Sequence, residues 1–431
     1  MSASTRATVE DHVARLSRIF ATALASRPVC RLPIEAPGLV GRRCAEQLRS
    51  PTALPGFRNS QMDGFAVRIQ DLGVAGGAAT LPLSAVVPAG SSPPALAPGT
   101  AAAVMTGAPV PPEAEVVIPV EKSAEGFAGL ELLAAGEPAQ VRFRGLESAD
   151  FQPNRFIRAA GSAVSAGDTL VQEGQPLTPA RLGLLAACGF HRVPVMSRIS
   201  TLVVSTGAEL RAPGRSLGPG QLHDANSALL RAALESFGHS VSTLRVSSDD
   251  PGALLLELNQ ALALHRPHLV VTAGGVSAGA FEVVREALAG EEVEFAPIAQ
   301  QPGGPQGWGL LSIPDRQAPA AFVGLPGNPV SCAVSVETLL RPALSSVDPE
   351  CPAPRYVDVR LGASLTSPAG IRQFRRVQLR DEAAGPPVAY PVGGPGSHLL
   401  GHYAQSDALL VLYEADEDVA CGEVRPAALL P

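Results

Sequence analysis

The sequence predicts a multidomain protein that combines an α/β domain with β-rich domains. The chain has 431 residues, enough for several domains at about 100–200 residues each. Its 43 Gly and 41 Pro exclude a coiled coil or a simple helix bundle, because both residues disfavour helix interiors. Strand and helix patterns alternate between residues 197 and 345, which is typical of a parallel sheet covered by helices.

The first predicted element is an amphipathic helix. Apolar residues recur at helical spacing from Val9 to Leu24, and Thr8 with Asp11 forms an N-cap pattern. Glu10 and Asp11 do not suit the basic start of a secretory signal. We therefore expect folded structure at this end of the chain and a cytoplasmic protein.

The following segments are predicted to be β-rich. Residues 49–150 contain short apolar runs such as Ala114–Val120 between many Pro and Gly, which is typical of strands joined by turns. Residues 151–195 hold two strand-like runs and the helix Pro179–Cys188. We predict an inserted β-rich domain at 49–150 and a connector at 151–195, which completes an N-terminal domain begun by the helix and linker of residues 1–48.

Residues 196–346 are predicted to form the α/β domain, and residues 347–431 a small β-barrel or sandwich. Asp250-Pro251 is typical of a helix start, and Asp224 is expected to be mainly a cap for the helix after it. The expected elements are the strand Ile199–Val204, the helix Ser227–Phe237, the strand Val241–Val246, a helix from Pro251 to near Leu264, the strand Leu269–Thr272, a helix from Phe281, the strand Val293–Pro297, a strand around Ala321–Val323 and a helix from Pro329 to Leu344.

Composition excludes several functional classes. The net charge of −7 disfavours nucleic acid and anionic membranes as partners. No run of 18 apolar residues is present, so we expect no membrane span. The six cysteines are scattered without zinc-site spacing, and reduced thiols are expected.

Three loops at predicted strand ends are rich in glycine or hydroxyl groups. They are residues 205–207, 274–279 and 324–331. Strand ends in such a domain are where ligands bind, and glycines let backbone N–H groups approach a phosphate or another oxyanion. Ordinary tight turns are the alternative explanation of these loops, but three such loops at one edge of a sheet favour a binding site.

A second candidate site lies in the segment Asn59–Phe65. Its carboxylate, amide and hydroxyl groups can bind Mg²⁺ or orient water, because hard cations prefer oxygen ligands. A plain Asp-Gly turn at Asp63-Gly64 explains the same residues equally well.

Several motifs resemble those of the molybdopterin molybdenumtransferases, the MoeA family, to which the E domain of gephyrin also belongs. Residues 59–66 resemble its NSAMDGYA signature, 106–111 its TGAPVP element, 274–279 its GGVSVG element and 324–331 its GLPGNPVS element. The motifs occur in the family's order and span nearly the whole chain. On this resemblance we expect a family member.

The resemblance implies an elongated subunit with a doubly wound, MogA-like α/β domain, an inserted β-rich domain and a C-terminal β-barrel domain. It also implies a homodimer with active sites built between subunits. The expected reaction is the Mg²⁺-dependent insertion of molybdate into adenylated molybdopterin with release of AMP. Expected partners are small-molecule substrates and other proteins of molybdenum cofactor biosynthesis, not nucleic acid or a membrane.

The family pattern also implies roles for individual residues. Asp63 is expected to be the essential carboxylate and the metal ligand, with Thr106 beside it, and Asp249 and Asp250 complete the expected catalytic set. The expected substrate-binding residues are Asn59, Ser60, Ser205, Thr206, Gly207, Gly274, Gly275, Ser277, Gly279, Pro302, Pro305, Asn328 and Ser331.

Charged positions of the family pattern are replaced here. The aspartate of STGDEL is Ala208; RRRGED aligns with residues 158–163 and loses both acids; KPGKP aligns with 301–305, where Gln301 and Gly304 replace both lysines. Of the 33 basic residues only Lys122 is lysine, but a bias against lysine predicts arginine at these positions, and neither is arginine. Two lost charged hydrogen bonds cost up to about 3–6 kcal/mol of anion binding.

Two classes of function follow. The first is a working insertase in which Arg285, Arg375 or Arg376 supplies the missing charge. The second is a catalytically impaired relative that acts as a dimeric scaffold or binding protein. The retained Asn59 and Asp63 favour the enzyme, whereas the lost acids and lysines favour the scaffold.

Overall fold

The computed structural model describes residues 6–74, 77–276, 282–382 and 385–431. The chain forms two compact units. Residues Met1–Cys30 and Met196–Pro431 form one, here termed the main unit, and Arg31–Val195 form the other, termed the inserted unit. No helix within the described ranges is long and apolar enough to cross a membrane.

The elements from the N-terminus to Met196 are α1 (Val9–Leu24), β1 (Val29–Pro33), β2 (Leu48–Arg49), β3 (Asn59–Ser60), β4 (Gly64–Val67), β5 (Ala79–Val87), β6 (Ala101–Val104), β7 (Val116–Pro119), α2 (Gly129–Ala134), β8 (Gln140–Phe143), β9 (Ile157–Arg158), β10 (Thr169–Val171), α3 (Pro179–Ala187) and β11 (Arg192–Met196).

The remaining elements are β12 (Ser200–Thr206), β13 (Leu210–Arg211), β14 (Leu222–His223), α4 (Ala225–Ser236), β15 (Ser240–Val246), α5 (Pro251–His265), β16 (Leu269–Ala273), α6 (Val283–Ala287), β17 (Glu292–Pro297), β18 (Gln300–Gln301), β19 (Pro305–Ile313), β20 (Arg316–Leu325), α7 (Pro329–Ser335), α8 (Arg341–Val347), β21 (Tyr356–Leu361), β22 (Leu365–Thr366), β23 (Arg372–Arg380), β24 (Val388–Pro391), α9 (Leu400–Tyr403), β25 (Ala408–Leu412), β26 (Asp418–Val419) and β27 (Val424–Leu429).

A six-stranded sheet in the order β15-β12-β16-β20-β19-β17 forms the centre of the main unit. The first four strands are parallel, whereas β19 is antiparallel to both β20 and β17. The parallel sheet expected from the sequence is present in these four strands, whereas β19 was not predicted. Gly307 and Gly309 lie within β19 and weaken its strand pattern. They are needed there, because a Cβ on Gly309 would lie 2.1 Å from the carbonyl oxygen of Glu292 in β17.

Helices cover both faces of this sheet. Val203 of β12 packs in the core that includes residues of α1, α4, α7 and α8. Its neighbours Leu202 and Val204 pack in a second core with residues of α5 and α6. This alternation follows from the two-residue period of a strand. The doubly wound arrangement predicted for this domain is confirmed.

The helix starts that the sequence predicted are present. Thr8 and Asp11 form a capping box at α1. The Asp250 side chain accepts hydrogen bonds from two N–H groups at the start of α5, and Asp224 caps α4. The helix expected from Phe281 is described only from Val283, because Phe281 lies outside the described residues.

The inserted unit contains a five-stranded sheet in the order β7-β4-β6-β5-β8. Phe65, Ile118 and Phe143 are fully buried in its core. The β-rich structure predicted for this part of the chain is confirmed. The short helix α2 was not predicted. The domain boundaries expected from the sequence remain a prediction.

The C-terminal strands close into a barrel, which decides between the two predicted forms. The order β23-β24-β21-β27-β25 closes because β25 also pairs with β23. Val359, Val377 and Leu410 belong to the core of this segment. β18 adds to the sheet by pairing with β23.

Candidate functional site

In the inserted unit, Thr106 donates two hydrogen bonds to one oxygen of Asp63. The Thr106 N–H lies 2.6 Å and its hydroxyl 2.8 Å from Asp63 Oδ1. These bonds, the backbone one first, hold the pKa of Asp63 below its ordinary value. Both residues are exposed, and Oδ2 accepts no hydrogen bond from the described part of the chain. Asp63 is thus a charged carboxylate with one oxygen available to a ligand.

The backbone around this pair is held by close packing. A Cβ on Gly64 would lie 2.2 Å from the carbonyl oxygen of Ile118, so only glycine allows β4 to approach β7 here. Gly107 has a φ of +81°, and its N–H donates to the carbonyl of Ser60 at 2.8 Å. These two glycines place Asp63 and Thr106 opposite each other.

Asn59 and Ser60 lie in β3, just before Asp63 in the chain. Both are buried. Asn59 Oδ1 accepts a hydrogen bond from Arg158 at 3.1 Å, and the Ser60 hydroxyl donates to the carbonyl of Met62 at 2.6 Å. The structure therefore places these two predicted substrate-binding side chains in internal contacts, and their role toward substrate stays a prediction.

In the main unit, a cavity of about 360 Å³ lies at the carboxyl ends of the parallel strands. Three loops meet there. A Cβ on Gly274 would lie 3.2 Å from the carbonyl oxygen of Thr206, and one on Gly327 would lie 3.3 Å from the Cα of Gly274. Gly274 also has a φ of +100°, which favours glycine at that position, whereas a Cβ on Gly327 would need only a small shift of its neighbours. The lining residues are Thr206, Gly207, Glu209, Leu210, Asn226, Asp249, Ala273, Gly274, Gly275, Val276, Glu282, Val283, Pro305, Pro326 and Gly327.

The cavity brings together six of the predicted site residues, namely Thr206, Gly207, Asp249, Gly274, Gly275 and Pro305. Asp249 Oδ1 accepts a hydrogen bond from the N–H of Ala208 at 3.2 Å, which ties it to the first loop. Ser277 and Gly279 lie outside the described residues.

Five other predicted residues are placed elsewhere. Asp250 caps α5, and Asn328 Oδ1 caps α7 by accepting from Val330 N–H at 3.2 Å. Ser205 is fully buried and donates to Asp224 at 2.7 Å. Ser331 and Pro302 are also buried. None of the five is among the residues that line the cavity.

Three polar residues of the lining were not predicted from the sequence, namely Glu209, Asn226 and Glu282. The Glu209 carboxylate folds over Gly207, where a Cβ would lie 2.5 Å from Glu209 Oε2. Asn226 is buried and donates from Nδ2 to the carbonyl of Gly327 at 2.7 Å. Glu209 lies in the motif at 205–210, so that motif could have identified it. Asn226 carries no comparable local signal.

The charge of the cavity is opposite to that expected for a phosphate site. Its lining, within the described ranges, includes the carboxylates of Glu209, Asp249 and Glu282 and no arginine or lysine. Arg375 and Arg376 lie buried in β23, where they donate to Gln373 and to the carbonyl of Gly394. The arginines considered as replacements for the lost lysines therefore do not line this cavity.

Gln301 contacts the barrel instead. Its Oε1 accepts a hydrogen bond from Gln373 Nε2 at 2.6 Å, and Gln373 Oε1 accepts from Arg375 Nη1 at 3.1 Å. The backbone of Gly304 does not have a positive φ, and a Cβ there would lie 3.3 Å from the carbonyl oxygen of Gln300. A side chain at position 304 thus requires only a small adjustment.

Comparison with known families accounts for this combination of elements. The family model described as "MoeA N-terminal region (domain I and II)" matches residues 7–189. That described as "Probable molybdopterin binding domain" matches 202–346, and "MoeA C-terminal region (domain IV)" matches 358–430. The three matched regions together cover most of the chain and define a protein of the MoeA class.

Individual relatives give the same result over most of the chain. The Molybdopterin molybdenumtransferase 2 of Mycobacterium tuberculosis is 40% identical over 412 residues, which cover 92% of this chain and 94% of the relative. That of Haemophilus influenzae is 32% identical, with 89% of each chain covered. The crystal structure of the molybdopterin biosynthesis MoeA protein from Pyrococcus horikosii matches with a TM-score of 0.71 and 27% identity, covering 96% of this chain and 98% of that one. The chain belongs to the molybdopterin molybdenumtransferase, or MoeA, family.

Proposed function

We propose that this protein, a transferase of molybdenum cofactor biosynthesis, inserts molybdate into adenylated molybdopterin and releases AMP. Family membership over nearly the whole chain supports this function. The Asp63–Thr106 pair is the observation that connects the function to particular residues, because an exposed, charged carboxylate can hold a divalent cation beside a phosphate group.

The cavity of the main unit is the proposed pterin site. A pterin ring presents N–H donors, and Asp249 and Glu209 offer carboxylate acceptors for them. The same carboxylates repel phosphate and molybdate. We therefore propose that the cavity holds the ring and that the anionic groups of the substrate lie outside it.

Asp63 is the proposed ligand of Mg²⁺. The described residues contain no group of three or more His, Cys, Asp or Glu side chains that could hold a metal. A single carboxylate is nevertheless sufficient where substrate phosphates complete the coordination, which is common for Mg²⁺. The ion would neutralise charge on the phosphate groups, and Thr106 would keep the Asp63 carboxylate oriented toward it.

We further propose a cytoplasmic homodimer. The charged fraction of 17% is below the usual ~25%, and α5 exposes Leu256 and Leu264 by 61% and 77%. Exposed apolar side chains of this size favour burial in an interface. Sedimentation at micromolar concentration should give twice the chain mass; a monomer at that concentration would contradict the dimer.

A scaffold or binding protein is the second candidate. It is favoured by the replaced positions Ala208, Gln301 and Gly304 and by the absence of arginine and lysine from the described cavity lining. In that case the protein keeps its fold but has lost the insertase reaction.

One assay separates the two functions. The purified protein is mixed with adenylated molybdopterin, Mg²⁺ and molybdate, and AMP is measured against a reaction without molybdate. Molybdate-dependent AMP release, together with growth of a strain that lacks its own insertase, supports the enzyme. A folded protein that releases no AMP and does not complement the strain supports the scaffold.

A further inference from the structure

Asp224 makes more contacts than a helix cap requires. Its carboxylate is 1% exposed. Oδ1 accepts the N–H of Ser227 at 3.0 Å, which is the capping bond of α4. Oδ2 accepts three further hydrogen bonds: from the hydroxyls of Ser205 at 2.7 Å and Ser227 at 2.6 Å, and from Arg245 Nε at 2.9 Å. The second oxygen therefore joins three elements, β12, α4 and β15.

The residues on either side of these contacts are cavity walls. Ser205 directly precedes Thr206 and Gly207, which line the cavity, and Asn226 lies directly before Ser227. Asn226 in turn holds the third loop through its hydrogen bond to Gly327. A single buried carboxylate thus connects, within one hydrogen bond each, the segments that carry two walls of the cavity.

The charge of this carboxylate is compensated inside the protein. Burial raises the pKa of Asp224, but the hydrogen bonds from Ser227, Ser205 and Arg245 outweigh burial and hold the pKa below its ordinary value. Asp224 is therefore an acceptor with no proton of its own to donate, and all its contacts are donors. The network fixes one arrangement of donors around it.

We propose that Asp224 is a positioning residue, which sets the distance between the Thr206–Gly207 wall and the Asn226 wall of the pterin cavity. This inference rests on the proposed function only for the identity of the ligand. It assigns Ser205 a different part from the one expected from sequence: the fully buried Ser205 hydroxyl acts on the ligand through Asp224 and not by contact.

A double-mutant cycle tests the connection. Ser205→Ala removes one donor and leaves the cap intact. Asp224→Asn keeps a capping oxygen for Ser227 N–H, because asparagine is a good N-cap, but its amide nitrogen cannot accept from Ser205. Each variant should raise the KM for adenylated molybdopterin about tenfold with kcat changed less than about threefold. Residues of one network are coupled. The double variant should therefore raise the KM no more than the single variant with the larger effect.

Thr178→Ala is the matched control. Thr178 caps α3 in the inserted unit through a hydroxyl that accepts from Arg181 N–H at 3.2 Å. Its loss should lower stability and leave KM unchanged. If Ser205 contacted the substrate directly, the two single effects would multiply to about a hundredfold in the double variant, and the proposal would be overturned. An unchanged KM in Ser205→Ala would overturn it as well.

A second readout does not depend on the reaction. Amide hydrogen exchange in residues 206–210 and 226–230 should be at least about tenfold faster in Ser205→Ala than in the wild type, with exchange in β16 and β20 unchanged. If the wild type releases no AMP, the proposed function fails and this measurement still decides the inference. Equal exchange in both proteins would refute it, and Ser205→Ala keeps the test valid if Asp224→Asn does not fold.

Discussion

At the scale of single residues, the Asp63 carboxylate combines charge with an available oxygen. Thr106 occupies one oxygen with two hydrogen bonds, and the other accepts none from the described residues. A side chain in this arrangement binds a cation or a water molecule without having to lose a proton first. The chemistry proposed for the protein therefore needs the charge of this side chain.

The variant Asp63→Asn tests this dependence. It keeps an oxygen for Thr106 and should retain the fold, but without the charge we expect molybdate-dependent AMP release to fall by about 10²–10⁴. Asp71→Asn is the control, because Asp71 also accepts a backbone N–H, that of Gly99 at 2.9 Å, in the same unit. Activity in Asp63→Asn equal to that of Asp71→Asn would show that Asp63 is not the essential carboxylate.

The replaced lysine at position 301 leads to a second prediction at this scale. Gln301→Lys restores one charge beside the loop of residues 301–305, and one charged hydrogen bond should tighten binding of adenylated molybdopterin by about 10- to 100-fold. The gain should shrink with added salt, because salt screens partly exposed charges.

Titration calorimetry measures this binding directly. Gln317→Lys is the control. It adds the same charge on an exposed residue near the start of β20, at the end of that strand away from the cavity. Equal affinities in the wild type and both variants would mean that no anionic group of the ligand lies near position 301.

At the scale of elements, the neighbouring residues Asp249 and Asp250 have different roles in the fold. Asp249 lines the cavity and accepts the N–H of Ala208. Asp250 accepts hydrogen bonds from Gly252 and Ala253 at the start of α5. The sequence motif placed both in the catalytic set, whereas the local geometry gives the second residue a helix to cap.

Two substitutions of Asp250 separate capping from catalysis. Asp250→Ala should lower the free energy of unfolding by about 0.5–2 kcal/mol, the usual value of an N-cap, as measured by urea denaturation. Asp250→Asn keeps the cap and should be nearly as stable as the wild type. If AMP release is lost in Asp250→Asn while stability is kept, the catalytic assignment from sequence holds.

At the scale of the whole molecule, buried histidines make stability depend on pH. His12 and His239 are 0% and 3% exposed. Burial lowers the pKa of each to about 4. The ring of His12 packs edge-on against Trp308, with centroids 5.0 Å apart, and both of its nitrogens lack a hydrogen-bond partner in the described structure. These rings are neutral in the folded protein at pH 7.

The sign of the pH effect follows from where the proton binds. The unfolded chain binds protons at these rings near pH 6.5 and the folded chain only near pH 4, so the stabilisation is complete above pH 6.5 and is lost as pH falls toward 4. Each histidine should contribute at most about 1.4 kcal/mol per pH unit in that window. His12→Leu should therefore reduce the loss of stability between pH 7 and pH 5.

Urea denaturation at the two pH values measures this difference. His191 is exposed, and His191→Leu should keep the pH dependence of the wild type. A His12→Leu variant with the same pH dependence as the wild type would contradict the prediction.

The sequence by itself determined the elements whose signals are local. These signals are the helical spacing from Val9 to Leu24, the caps at Thr8 and Asp250 and the apolar runs of β12 and β16. Each depends on residues that are close together in the chain, and the structure contains each of them. The family motifs were also local and were sufficient to identify the family. They led to Asp63 and Thr106, which the structure does bring together.

Only the tertiary structure decided the features that join distant segments. The antiparallel strand β19 depends on glycines that fit against β17, the barrel closes through β23 and β25, and Ser205 is bound to a carboxylate 19 positions further along the chain. The carboxylates that line the cavity come from separate loops. Pairings of this kind are set by packing and by the satisfaction of buried polar groups, and no local pattern in the sequence encodes them.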